Sequence, residues 1–308
     1  MTSNPSRWSG KSSAASLAAR FPAEARRLHI SVEAVRDAYA REAFFRRLAI
    51  SPWRDRFVLK GSVLLVALLH QWHRPTQDAD FLVLEAMDAD TLRTVLIEVA
   101  SLPMDDEVIF DAASLRLSVM QEDARMVGHR AIMEARLGKG RLVFRADVGF
   151  NDVVTPAPNL LTMDTVLSGP VTILGSTLFT AVAEKFDAMV DHGLANTRAK
   201  DYYDLALIAR VATVDGERLV RAIRATFSNR NRILPTAWPA VLDEVANDTA
   251  HVQRYRQFLA QAGREESEDL RQAITGIRAF MFEPLQYIKP ARPFPCIWSP
   301  GQGWRKPG

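Results

Sequence analysis

Hydrophobic and polar positions alternate between two periods along this chain. Helical spacing predicts helices at 13–27 and 31–48; Ser31 suits the N-cap of the second, and Val32, Val35, Ala38, Tyr39, Ala43 and Phe44 form its apolar stripe. Pro52 closes that region, and a short strand at 56–60, a buried helix at 62–71 and a second strand at 78–84 follow. Residues 89–100 form an amphipathic helix on Leu92, Val95, Leu96 and Val99. From 107 to 150 the period becomes two, giving strands at 108–110, 114–120, 129–137 and 141–150, with Gly138-Lys139-Gly140 as a hairpin turn. In the last of these strands Leu142, Phe144, Ala146, Val148 and Phe150 share one face, and Arg145 and Asp147 project from the other. Residues 156–170 are polar, bracketed by prolines, and read as a connection between domains. Helical spacing then returns at 178–191, from Asn196 or Thr197 onward, and at 215–227, 236–245, 250–262 and 266–282. The pattern predicts an α+β chain. A mixed β-sheet domain with flanking helices spans 13–155 and an α-helical domain 156–288, with a disordered tail at 1–12 and a Pro/Gly/Trp-rich tail at 289–308.

Composition narrows the setting. The 308 residues are 48% hydrophobic and 24% charged, ordinary for a globular chain able to bury one large core or two smaller ones. The formal charge is +3 with a pI of about 9.1, so any basic footprint is local. Arginines gather in the first fifty residues and around 218–232, which suits an RNA or phosphate partner, although solvated helix faces account for a single such cluster more readily. The single Cys296 excludes an intramolecular disulfide and fits a reducing cytoplasm. The six histidines are scattered and form no zinc grouping. The longest apolar run, 63–69, is too short for a membrane span, and 1–13 lacks the apolar centre of a secretory signal; a soluble cytoplasmic protein is expected.

The chemistry concentrates at 57–84. Asp78 and Asp80 alternate at the opening of a strand and so point the same way, about 7 Å apart. Two acids on one face repel unless a cation lies between them, and oxygen-only ligands suit Mg²⁺, or Mn²⁺ in its place. Gly61-Ser62 opens the intervening helix, where free N–H groups and a hydroxyl suit a phosphate. Carboxylates with a metal beside a phosphate cradle point to nucleotidyl transfer. Asp147 is the candidate third carboxylate, brought alongside by sheet pairing, or else it is salt-bridged to a neighbour such as Arg145. Lys185 sits on the edge of the stripe formed by Leu178, Val182, Phe186 and Met189, and either extends outward or reaches a charged partner. Asp201 and Asp204 fall in the first turns of a helix, where acids are favoured, and share a face with Leu205 and Ile208. A Lys185–Asp201 pair would lock two helices or place the lysine on a triphosphate.

Three stretches together resemble the AbiEii-type nucleotidyltransferases, toxins of type IV toxin–antitoxin and abortive-infection systems that include the MenT toxins. They are Leu59-Lys60-Gly61-Ser62 with Arg74-x-Thr76-x-Asp78-x-Asp80; Glu184-Lys185-Phe186-Asp187-Ala188; and Thr197-Arg198-x-Lys200-Asp201-x-Tyr203-Asp204-Leu205. The resemblance spans roughly 30–285. It implies a nucleotidyltransferase-fold domain followed by a helical domain, with the active site between them. Asp78 and Asp80 would bind the catalytic metal, joined by Asp147 on the pattern of the wider superfamily. Lys60, Gly61 and Ser62 would hold the nucleotide phosphates, with Arg74 and Thr76 close by. Lys185 would contact the triphosphate of the NTP, Asp201 would be the essential acid, and Asp204 would lie at the nucleotide. Many members carry Gly-Gly where this chain has Gly61-Ser62. The implied reaction adds nucleotides to an RNA acceptor, the tRNA 3′ end, with a cognate antitoxin encoded nearby and no membrane involved. The alternatives are transfer to a protein or small-molecule hydroxyl, and a non-catalytic nucleotide- or RNA-binding protein.

Overall fold

The structure, a computed structural model, describes residues 13–72, 74–123, 126–264, 268–289 and 292–307. The tail expected at 1–12, His73 among the histidines, and the first residues of the helix expected from 266 lie outside the described residues. The chain divides into two compact units, one running to 151 and resuming at 159–175, the other comprising 152–158 and everything from 176.

The first unit is built on a mixed sheet. Its strands are β1 (Phe57–Lys60), β2 (Ala79–Val83), β3 (Val108–Phe110), β4 (Arg116–Asp123), β5 (Met126–Leu137), β6 (Gly140–Phe150), β7 (Asn159–Met163) and β8 (Val171–Gly175). They lie in the order β3-β5-β6-β2-β1-β8-β7, with β4 also pairing β5. β2 runs antiparallel to β1 and parallel to β6, while β1 is parallel to β8. The two-residue turn Gly138-Lys139 joins β5 to β6, with Gly138 at φ +57° where a side chain would be strained. The stretch read from sequence as an inter-domain connection, 156–170, contributes β7 to this sheet, and β8 follows directly after it. A five-residue strand preceded by two prolines carries little periodicity of its own, and pairing with β8, itself joined to β1, is what makes it a strand.

Leu142, Phe144, Ala146, Val148 and Phe150 are all buried, so the alternation in β6 marks the core face. Helix α2 (Val32–Ile50), preceded by α1 (Ala14–Leu28), packs here: Phe44 stacks on Phe144 with centroids 4.2 Å apart, and Phe45 meets Phe81 edge-on at 5.7 Å. α2 is buried on most sides rather than along one stripe, while Val32, placed on the stripe by its spacing, is exposed. Several arginines of the first fifty residues are consequently structural. Buried Arg47 grips Asp106 with both guanidinium nitrogens (2.7 and 3.0 Å) and donates to the Val108 carbonyl (2.8 Å). Helices α3 (Gly61–Leu69) and α4 (Ala89–Ala100) complete the unit.

The second unit carries α5 (Leu178–His192), α6 (Ala199–Val211), α7 (Gly216–Asn229), α8 (Val241–Asn247), α9 (Thr249–Gln261) and α10 (Leu270–Gln286). The Trp-rich stretch after 289 folds onto them. β9 (Val214–Asp215), β10 (Ile297–Ser299) and β11 (Gly303–Arg305) form a small sheet. The Trp298 indole donates to the Ala209 carbonyl at 2.7 Å, and Trp304 to that of Phe280 at 2.8 Å. The arginines near 218–232 are largely tied down as well. Arg230 bridges Asp152 and Asp187 (2.9 and 2.8 Å), Arg232 pairs with Asp191, and Arg224 donates to the carbonyls of Tyr287 and Ile288. Among the described residues no helix is long and apolar enough to cross a membrane.

Candidate active site

Sheet register places the acids of the first unit. Lys60 closes β1 opposite Asp80 on β2, and Asp80 in turn lies opposite Asp147 on β6. Cross-strand partners project to one face, so the three side chains form a row over adjacent strands roughly 5 Å apart. Asp78 lies just before β2 and, two residues from Asp80, joins the same side. Gly61 follows β1 directly, at φ +64°, and begins α3. A Cβ there would sit 1.8 Å from Asp80 Oδ2 and 2.5 Å from its Cγ. Glycine is therefore required twice, by the backbone conformation and by the carboxylate lying against it. Asp80 thereby stands at the N-terminus of α3, whose N-cap Lys60 supplies no side-chain cap; the helix dipole favours an anion there. Ser62 is buried in the first turn of α3.

The residue that spacing did not reveal is Arg130. It faces Asp147 across the β5–β6 pair and grips it bidentately, Nε to Oδ1 at 2.8 Å and Nη2 to Oδ2 at 2.7 Å. Nη2 also lies 3.8 Å from Asp78 Oδ2. The hydrogen bond to Asp147 pushes the Arg130 guanidinium further from deprotonation, against the opposing effect of burial. Arg145, suggested by proximity in sequence as a partner for Asp147, bonds Asp37 at 3.2 Å instead. Arg145 and Asp147 lie on the same face of β6, but Arg130 is the direct cross-strand neighbour of Asp147 and takes both its oxygens, while Arg145 turns to Asp37 on α2. Asp78, Asp80 and Asp147 thus share one face of the sheet. No group of three His, Cys, Asp or Glu side chains among the described residues is closed up around a metal position. The donor set still fits a hard divalent cation: oxygen ligands alone, a glycine clearing the backbone beside Asp80, and Asp78 already drawn toward a cation. Asp78 and Asp80 would hold it.

A buried arginine holds the segment leading to these acids. Arg41 of α2 donates to the carbonyls of Thr76 and Gln77 (2.7 and 3.1 Å), and the Thr76 hydroxyl donates to the Asp78 carbonyl at 3.4 Å. Burial lowers the Arg41 pKa, opposed by the charges of Glu42, Asp37, Asp78 and Asp80. Neighbouring Glu42 accepts the Val166 N–H with both oxygens (2.9 and 3.0 Å), and burial pushes its pKa up to about 8. Arg74 is buried in the segment leading into β2. Neither Arg41 nor Arg130 lies in a motif that spacing could single out; one is in a helix full of arginines, the other in an ordinary alternating strand.

In the second unit Lys185 of α5 stands between two acids of α6, its Nζ 3.0 Å from Asp201 Oδ1 and 2.8 Å from Asp204 Oδ2. The lysine reaches inward: its side chain is 12% exposed, against 8% for Asp201 and none for Asp204. The entry to α6 is held by Asn196, whose Oδ1 accepts the Arg198 N–H at 2.9 Å and whose carbonyl meets His251 Nε2 at 3.0 Å. The structure therefore gathers the predicted residues into two constellations, Lys60, Gly61, Asp78, Asp80 and Asp147 on one unit and Lys185, Asp201 and Asp204 on the other.

Comparison with known proteins agrees with this architecture. The family model described as "Nucleotidyl transferase AbiEii toxin, Type IV TA system" matches residues 42–277. A candidate nucleotidyltransferase of H. pylori, known from a crystal structure, superposes with a TM-score of 0.51 at 14% identity, over 86% of this chain and 100% of that one. JHP933 of Helicobacter pylori follows at a TM-score of 0.44 and 14% identity, over 84% of this chain and 92% of its own. No curated protein matches by sequence. At 14% identity the likeness to the first of these structures speaks for the fold alone, and the family match for the chemistry.

Proposed function

The chain belongs to the AbiEii family of nucleotidyl transferase toxins of type IV toxin–antitoxin systems, and we propose that it transfers a nucleoside monophosphate from an NTP to an RNA 3′ end, that of a tRNA, and so blocks translation. The observation that carries the site assignment is the Asp80 carboxylate lying against Gly61 at the start of α3, with Asp78 and Asp147 on the same face. In this reading the acceptor 3′ oxygen forms a bond to the α-phosphorus, the α–β bridging bond breaks, and pyrophosphate leaves. Mg²⁺, or Mn²⁺, held by Asp78 and Asp80 would supply charge neutralisation on the phosphates. The start of α3 with Lys60, Gly61 and Ser62 receives phosphate oxygens, assisted by Arg74 and Thr76. Arg41 keeps the 76–78 segment in place from within the core. Lys185, paired with Asp201 and Asp204, contacts the triphosphate in this reading. Asp80 or Asp147 takes the proton of the attacking hydroxyl. Work of this kind is mostly positioning and electrostatics, which suits a site assembled on strand ends and a helix start. The protein acts in the cytoplasm, and its antitoxin is encoded nearby.

Purified protein incubated with total RNA, Mg²⁺ and each α-labelled NTP in turn tests the reading, with Asp80→Ala alongside. Label on tRNA-sized bands, absent in Asp80→Ala, is the expected result. Label on protein or on a small molecule instead would move the acceptor assignment, and NTP binding without turnover would refute catalysis.

A further inference from the structure

Arg130 is placed oddly for a residue with only a structural task. It lies in the middle of β5, which is hydrogen-bonded to β6 on one side and to β4 on the other, where Ser118 is its partner. The strand is thus fixed without any contribution from the side chain. A partly exposed ion pair contributes only modestly to stability, toward the upper end of that modest range for a bidentate fork such as this one, and the Arg130 side chain is 44% exposed against 17% for Asp147. Its guanidinium nevertheless lies within ion-pair distance of both Asp147 (2.7 Å) and Asp78 (3.8 Å), with the charge of Asp80 also acting on it.

Resting on the proposed metal-dependent reaction, we infer that Arg130 is the resident counter-cation of this carboxylate face, which an incoming divalent ion displaces, and that it thereby sets the affinity of the site for metal. The argument is one of charge and space. With Arg130 in place the three acids are partly neutralised and the Asp147 oxygens are both taken by N–H donors. A dication bound at Asp78 and Asp80 would lie within a few ångströms of a guanidinium that cannot deprotonate. Repulsion at that separation is large even at the high effective dielectric of a surface site. The backbone stays, but a long side chain with an exposed end can swing to solvent. Once it does, Asp147 turns from a paired acid into a free carboxylate beside the ion. Arg130 is therefore a positioning residue for Asp147 and a competitor of the metal.

Mn²⁺ affinity, read by electron paramagnetic resonance of the free ion and by calorimetry in the absence of NTP and RNA, separates this role from a structural one. Arg130→Gln is expected to bind Mn²⁺ about tenfold more tightly than the unsubstituted chain, the order expected for removing one like charge beside a surface site. Arg130→Lys, which keeps the charge but not the fork, should fall between the two. Adding Asp80→Asn to Arg130→Gln should abolish the gain. Thermal melts of each variant confirm folding, and Arg130→Met serves if Arg130→Gln does not fold. Unchanged or weaker Mn²⁺ binding in Arg130→Gln overturns the inference and leaves the proposed reaction standing. Absence of any Asp80-dependent Mn²⁺ binding in every variant overturns both.

Discussion

Replacing Gly61 by alanine is the sharpest perturbation available at this site, because one methyl group meets two independent obstacles. The backbone is at φ +64°, where an L residue costs about 1–2 kcal/mol. The new Cβ would lie 1.8 Å from Asp80 Oδ2, 2.5 Å from Cγ and 2.9 Å from Cβ, so Asp80 must leave its position rather than adjust its tip. Displacing a group of the catalytic machinery by about 1 Å commonly costs on the order of a hundredfold in rate. The destabilisation, by contrast, is mainly the backbone strain, which lowers the melting temperature by only a few degrees in a chain of this size. Gly61→Ala should therefore remain folded, with circular dichroism close to the parent, while transfer from an α-labelled NTP falls at least about a hundredfold. Ser62→Ala, which adds no atoms, provides the comparison: it should fold like the parent and lose far less. Activity of Gly61→Ala within a fewfold of the parent would refute the reasoning, since it would mean that the close approach of Asp80 to Gly61 is not needed for the reaction.

Three further outcomes follow from the buried charges. Lys185→Met leaves Asp201 and Asp204 facing each other with their shared cation gone, and a broken buried pair costs about 3–5 kcal/mol, so urea midpoints should drop steeply along with activity. Arg41→Met removes the donors to the Thr76 and Gln77 carbonyls; activity should fall with it, whereas an active variant of normal stability would show that the 76–78 segment is held some other way. Glu42 titrates at about 8 in the folded chain against 4.5 for an ordinary glutamate, so the folded state holds the extra proton between those values. Its contribution to stability is full below about 4.5 and is lost as pH rises through about 8. Glu42→Gln, which can still accept the Val166 N–H, should remove that slope in denaturation curves recorded from pH 5.5 to 8; parallel curves for the two proteins would contradict the assignment.

Much of the site was legible before any tertiary information. Gly61-Ser62 ahead of an apolar helix and Asp78-x-Asp80 at a strand start are local patterns, and local geometry carries them: a turn needing positive φ, an alternation that aims two acids one way. The burial of β6 at every second residue likewise follows from period two. Lys185 with Asp201 and Asp204 lay within reach of helical spacing, since an inward-edged lysine and acids bordering a buried face are each visible along one helix.

What pairs with what is a different kind of information. Lys60, Asp80 and Asp147 come from strands distant in the chain, and only the β1-β2-β6 register sets them in a row. Arg130 became the partner of Asp147 through the β5–β6 hairpin register, while the sequence neighbour Arg145 turned to Asp37. The arginines of the first fifty residues suited an RNA or phosphate partner or a solvated helix face by composition, which counts charges and cannot see burial; Arg41 and Arg47 are inside, committed to backbone carbonyls and Asp106. β7, β8 and the Trp298–Trp304 strands are too short to announce themselves, and acquire their structure from the sheet or helices they join. The sequence by itself determined the kinds of element and the chemistry each could carry, since those depend on residues a few positions apart. Only the tertiary structure decided the partners, because a strand's hydrogen-bonding edge will accept any strand of matching pattern and the core alone selects among them.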